Sequence, residues 1–218
     1  MGRPRRHQPA GHIFHIINRG NGGAVVFHKD TDYQAFLDLL EAGKSKFSVR
    51  VLAFCVMPNH FHIVVQPETE ATLSPFMKWW QTTHARRYHR HYGSHGHLWQ
   101  GRFKNFPIER DEHLLIVLRY VLRNPVRAKL VRRTAEWRWS SLQHPSLVDH
   151  WPVPVPADWS RWIEQPLFAH ELAQVRTCVN RQSPFGFPSW QEQCASDLGL
   201  ESTLRPPGRP CKAALNDA

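Results

Sequence analysis

The chain is short of acid, of paired cysteine and of long apolar runs. Only 18 of its 218 residues are Asp or Glu, against 28 Lys and Arg, a formal charge of +10. A surplus of that size favours polyanionic partners. Cys55, Cys178, Cys194 and Cys211 are scattered and form no Cys-x-x-Cys pair, which argues against a disulfide framework or a zinc ribbon. A reducing, bacterial-type cytoplasm is therefore expected, with the protein at the nucleoid. The longest apolar run, Val51 to Met57, is far too short to span a membrane. No apolar core follows the basic stretch Met1 to Pro9, so no signal peptide is expected. At 41% hydrophobic residues the chain can bury a core.

What is present is organised around Met57-Pro58-Asn59-His60-Phe61-His62-Ile63-Val64-Val65. Pro58 and Asn59 supply a turn, and the β-branched run after them supplies a strand. Side chains alternate across a strand, so His60 and His62 share one face, roughly 7 Å apart. Phe61, Ile63 and Val65 face a core. Two imidazoles on one rigid face make half of a metal site, and two plain surface histidines are the competing reading of that dipeptide pattern alone.

Around this stretch the pattern predicts strands over His12–Asn18, Val49–Val56 and Arg102–Ile108. It predicts helices over about 31–46 and 73–92, and a third opened by Asp111 and broken or kinked by Pro125. The order β-α-β-β-α-β followed by a helix is a ferredoxin-like α+β arrangement, an antiparallel sheet with helices. Residues 1–10 read as a basic arm, 11–145 as the main domain, and 146–218 as a Pro- and Trp-rich extension. Short helices are expected there near 168–181 and 188–198, ahead of a basic tail.

The third helix carries Tyr120 and, four residues on, Asn124, which helical spacing puts on one face. No acid lies between Glu112 and Glu136, whereas Arg119, Arg123, Arg127, Lys129, Arg132 and Arg133 do. Nearby positive charge favours a phenolate and attracts phosphate. The competing reading is a half-buried tyrosine on a helix with a solvated basic face. His15 is assigned to buried packing. A structural zinc site of Cys55 with His60 and His62 lacks a fourth ligand.

Asn18-Arg19-Gly20-Asn21, the His-x-His stretch, Gly96-His97-Leu98-Trp99-Gln100-Gly101-Arg102-Phe103, Arg119-Tyr120 through Asn124-Pro125-Val126-Arg127-Ala128, and Trp139-Ser140-Ser141 occur in that order. This series, over about residues 10–142, resembles the HUH single-tyrosine transposases, most closely the REP-associated tyrosine transposases. The resemblance implies a metal-dependent enzyme that cleaves and rejoins single-stranded hairpin DNA through a 5′-phosphotyrosine. It implies Tyr120 as nucleophile, His60 and His62 as metal ligands, and Asn124 as a third ligand, although Pro125 makes a helix-ending role for Asn124 equally open. A hard cation, Mg²⁺ or Mn²⁺, suits such a site.

Expected DNA contacts are Arg86, Arg87, Arg90, Arg102 and Lys104, with Arg19, Arg119, Arg123, Arg127 and the tail's Arg209 as further candidates. No obligate protein partner is evident, and monomer and homodimer are both open. A non-catalytic nucleic-acid binder on the same scaffold is the alternative reading.

Overall fold

The computed structural model describes residues 7–205; Arg209 and the basic tail lie outside them. The chain runs β1 (Ile13–Arg19), α1 (Asp30–Lys46), β2 (Val49–Met57), β3 (His60–Pro67), α2 (Leu73–Tyr92), β4 (Lys104–Ile108) and α3 (Glu112–Leu122). After α4 (Asn124–Arg127) come α5 (Trp159–Glu164), α6 (Ala169–Arg181), α7 (Pro188–Leu198) and α8 (Glu201–Leu204). The four strands form one antiparallel sheet in the order β2-β3-β1-β4, the expected ferredoxin-like order. No helix among the described residues is long and apolar enough to cross a membrane.

Strand alternation divides the core in two. On one face Phe14, Ile16, Phe54, Phe61 and Ile63 pack under α1 and α2 with Phe36, Phe76 and Trp80. On the other, Ile13, Cys55, Val64 and Phe106 pack under α3 with Leu114, Val117, Leu118 and Val121. The third helix therefore covers the sheet face opposite the first two. Gly43 sits where α1 crosses α2, and a Cβ there would meet Phe76 at 2.8 Å. Close helix packing requires its missing side chain.

Both sheet edges are covered. Along β2, Val56 N–H donates to Trp139 C=O (2.8 Å) and Ser141 N–H to Phe54 C=O (2.9 Å), which accounts for the Trp-Ser-Ser motif. At the β2 irregularity between Val51 and Ala53, the freed Leu52 carbonyl accepts from Trp151 Nε1 (2.7 Å). The bulge thus anchors the start of the Pro- and Trp-rich segment, where Trp151 also packs edge-on to Trp159. Along β4, Phe185 N–H donates to Pro107 C=O and Glu109 N–H to Phe185 C=O, both at 2.9 Å. Pro107 is tolerated because β4 is an edge strand.

One boundary moves by two residues from expectation, and one break falls as Pro125 led us to expect. The fourth strand begins at Lys104, because Gly101 takes a left-handed φ of 96° and turns the chain just before it. The third helix stops at Leu122, ahead of Pro125, and a separate turn starts at Asn124. Pro125 has no N–H to bond back to Val121, so the break falls at Arg123 (φ −85°, ψ 1°), and Pro125 then sits in the first turn of α4, where no N–H is needed.

His84 on α2 is buried against Phe27, Phe36 and Trp99, and its Nδ1 has no hydrogen-bond partner. Burial lowers its pKa from 6.5 to about 3, with the Asp32 charge raising it and Arg87 lowering it. Between those values the unfolded chain binds the extra proton, so stability is lost as pH falls from about 6.5 towards 3. The loss runs at up to about 1.4 kcal/mol per pH unit. We expect His84→Phe to flatten that acid limb by a comparable amount in urea titrations at pH 7, 6 and 5. An unchanged slope would mean that His84 carries no depressed pKa in the fold.

Candidate active site

The hairpin that presents His60 and His62 turns at Pro58–Asn59, directly before β3. Its tip is held by the loop after β1. The Pro58 carbonyl accepts from Val26 and Phe27 N–H at 2.8 and 3.0 Å, and the Asn59 carbonyl from Gly20 N–H at 2.8 Å. The Asn59 side chain donates to Gly23 C=O. Arg19 lies opposite His60 and Ile17 opposite His62, and Cys55 flanks His62 on β2. The two imidazole rings are 5.0 Å apart, nearly perpendicular.

Each ring is oriented through its Nδ1. His60 Nδ1 donates to Asn59 Oδ1 (2.7 Å), and His62 Nδ1 is bonded to His15 Nε2 (2.9 Å). Burial holds His60 down at about 4, helped by Arg19 and Arg127. His62 lies well below its usual value through burial, then His60, His15 and Arg127. Both rings are neutral near pH 7, the state that a metal ligand requires. His15 is wholly buried, with its pKa lowered to about 3 by burial.

Tyr120 comes from α3 on the same sheet face. Its ring stands edge-on to His62 at 5.7 Å and to His15 at 6.1 Å between centroids. The Arg127 guanidinium lies 4.3 Å over the phenol ring, brought back by the break at Arg123 and the α4 turn. Burial raises the Tyr120 pKa, while Arg127, Arg176 and a hydrogen bond from Arg127 act against the rise. The net direction is opposite to the eased ionisation that the basic sequence suggested, because desolvation outweighs the cations. Asn124 is buried as the first residue of α4, and its Nδ2 has no hydrogen-bond partner.

The predicted cations separate into three settings. Arg86, Arg87 and Arg90 are exposed on α2. With Thr83 and His91 they line an open groove of about 620 Å³. Arg19, Arg102 and Lys104 line a second groove of about 770 Å³ whose far wall is Asn180 and Arg181 of α6. Arg119, Arg123 and Arg127 do not face outward as expected. Arg119 is buried, paired with Glu171 at 2.8 Å and stacked 4.3 Å over Trp162. Arg123 meets Glu164 and the carbonyl of Ile163. Their charges are engaged by the C-terminal segment, which pins the tyrosine helix.

Three acidic or imidazole groups escaped the sequence reading. Ligand atoms of Glu109, Asp111 and His113 lie within 4.8 Å of one another, the one such group among the described His, Cys, Asp and Glu residues, and could hold a divalent cation. Their separation of two residues at a strand-to-helix junction was the available signal. Each also has structural work. Asp111 Oδ1 caps α3 by accepting from His113 N–H and meets the His113 ring (2.9 Å), and Glu109 accepts from Phe187 N–H (2.7 Å). The cluster follows Ile108, which pairs with Ile13, at the opposite end of β1 from Arg19 and His60.

A tyrosine is thus set against a histidine pair on one face of a four-stranded antiparallel sheet. The model of the IS200-like transposase family matches residues 10–124, and the chain belongs to that family. Transposition, with the nuclease and strand-transfer chemistry it entails, is the activity of the family. Among solved structures, the REP-associated tyrosine transposase bound to a REP hairpin shares the fold, with a TM-score of 0.54 at 20% identity. The likeness covers 78% of this chain and 100% of that one. A structure of a transposase candidate from Deinococcus radiodurans R1 overlaps 57% of this chain and 97% of its own, at 18% identity and a TM-score of 0.40. No curated protein matches the chain.

Removing the carboxylate of Glu171 leaves Arg119 buried and uncompensated. We expect Glu171→Ala to cost about 3–5 kcal/mol, and the double change with Arg119→Met to recover most of it. Urea midpoints of the two variants measure this; equal losses would show that the stranded charge is not the cause.

Proposed function

We propose that this transposase cleaves and rejoins single-stranded hairpin DNA with Tyr120 as nucleophile. The observation that carries the reading is the edge-on approach of Tyr120 to His62, with both imidazoles held through Nδ1. That arrangement leaves each Nε2 for a ligand, the pattern of metal-binding histidines oriented by a second residue. The donor set fits a hard cation completed by oxygen ligands: His60, His62, and the amide oxygen of Asn124, whose amide nitrogen is otherwise unpartnered. Mg²⁺ or Mn²⁺ bound there would draw charge from a non-bridging phosphate oxygen.

In the cleavage step the Tyr120 oxygen bonds to phosphorus and the bond from phosphorus to the 3′ oxygen breaks. The phenol gives up its proton and the departing 3′ oxygen takes one. The product is a 5′-phosphotyrosine and a free 3′-hydroxyl. Attack by a 3′-hydroxyl on that link reverses the exchange and reseals a strand, so the phosphodiester energy is conserved without a nucleotide cofactor. Arg127, stacked on the phenol, is placed to stabilise charge as the proton leaves. The exposed α2 arginines suit backbone phosphates of a stem. The groove between β1, β4 and α6 suits a single strand, because its amide-bearing residues Asn105 and Asn180 can meet base edges.

Incubation with labelled hairpin DNA and Mg²⁺ should give a denaturant-resistant adduct that disappears in Tyr120→Phe and with chelator. An adduct that persists in Tyr120→Phe assigns the nucleophile elsewhere. Salt-dependent binding with no adduct from the unaltered protein would favour the non-catalytic binder. Replacing Arg86, Arg87 and Arg90 together by Ala should reduce the slope of log K against log salt by about 2 to 3. A slope that does not change places the DNA on another surface.

A further inference from the structure

We propose that His15 is a positioning residue for the metal site: it accepts the Nδ1 proton of His62 and thereby turns the His62 Nε2 lone pair toward the cation. The inference rests on the reading of His60 and His62 as ligands and assigns a role to a residue that this reading does not use.

His15 is 0% exposed, flanked along β1 by Phe14 and Ile16, and beside Phe106 at 4.9 Å. A phenylalanine would fill that space without carrying two polar nitrogens out of water. One of those nitrogens, Nδ1, has no hydrogen-bond partner among the described residues. The other, Nε2, has one, the Nδ1 of His62 at 2.9 Å. Among the described residues, the only hydrogen bond of the ring is therefore with a residue of the candidate site. Register makes it possible. His15 lies opposite Val64, and His62 opposite Ile17, so the two histidines are diagonal neighbours on one sheet face, within reach of long side chains.

Two proton arrangements satisfy a bond between neutral imidazoles. In one, His15 Nε2–H donates, and His62 then carries its own proton on Nε2, which blocks that nitrogen as a ligand. In the other, His62 Nδ1–H donates and Nε2 is bare. Only the second can bind a cation, and it places the remaining His15 proton on the unpartnered Nδ1. No proton is gained or lost between the two. Loading the site selects one tautomer of the pair, and His15 is the acceptor that makes that tautomer favourable. His60 reaches the same state more simply, since Asn59 Oδ1 can only accept.

The test measures Mn²⁺ affinity by calorimetry on the full-length protein, with His62 ring tautomers followed by nitrogen-15 NMR without metal and with Mg²⁺. His15→Phe keeps a ring and removes the acceptor, and His15→Gln keeps an acceptor. Thermal melts establish that each variant is folded. His15→Phe should weaken Mn²⁺ binding about tenfold to a hundredfold, with His15→Gln restoring most of the loss. In the unaltered protein, Mg²⁺ should shift the His62 ring to the Nδ1–H form. Equal Mn²⁺ affinity in the unaltered protein and in His15→Phe overturns the proposal, as does a Gln variant no better than Phe. Should His15→Phe fail to fold, His15→Gln and the tautomer shift in the unaltered protein decide the matter. If Mn²⁺ binds in a manner that His60→Ala and His62→Ala do not alter, the metal reading itself is wrong. His15 is then judged on the ring alone: His62 signals unchanged by His15→Phe overturn its positioning role, and a scrambled tautomer supports it.

Discussion

The antiparallel register of β1 on β3 is the constraint on which the site depends. It places Arg19 opposite His60, Ile17 opposite His62 and His15 opposite Val64, and so puts three histidines on the face that α3 covers. A one-residue slip of β1 would turn His15 to the aromatic core beneath α1 and α2, away from His62. Both faces of this sheet are buried, so the slip would also draw Phe14 and Ile16 out of that core. The apolar residues hold the register, and the register aligns the polar ones.

The second half of the site depends on how one helix ends. Pro125 stops α3 at Leu122, and the short turn that follows carries Arg127 back over the ring of Tyr120. An unbroken helix would carry residues 120 and 127 along one face some two turns apart, without folding the guanidinium onto the phenol. On the outer side the same helix is held by Arg119 to Glu171 and Arg123 to Glu164. These pairs lie in or near the interface with the C-terminal segment, where losing one partner leaves a desolvated charge. The C-terminal segment is in this way part of the apparatus that fixes the helix of Tyr120, although the family match ends at residue 124.

Charge and burial oppose each other throughout. The chain's basic surplus is divided between exposed α2 arginines, a groove beside β1 and β4, and cations buried next to the tyrosine. At the surface the charge is available to phosphate. Around Tyr120 burial raises the phenol's pKa and the arginines restrain the rise. The same burial keeps His60 and His62 unprotonated, so one environment leaves the two imidazoles neutral while making the phenol harder to ionise. Arg127 and Arg176 are the counterweights to that cost.

Much of this was legible in the residues alone. The His-x-His alternation, the turn at Pro58–Asn59 and the order of strands and helices are local properties, written in periodicity and turn chemistry, and they suffice for the ferredoxin-like fold. Tyr120 was legible as well, through its motif. Other features had no local signature. His15 reads as one more buried position in an apolar strand until the pairing with β3 sets its Nε2 against His62. Arg119 and Arg123 read as a basic helix face until Glu171 and Glu164, about forty to fifty residues later in the chain, take up their charges. Periodicity decides which face a side chain occupies, because the backbone repeat is local. Which residue waits on the other side, and whether water remains between them, is decided only when distant segments pack.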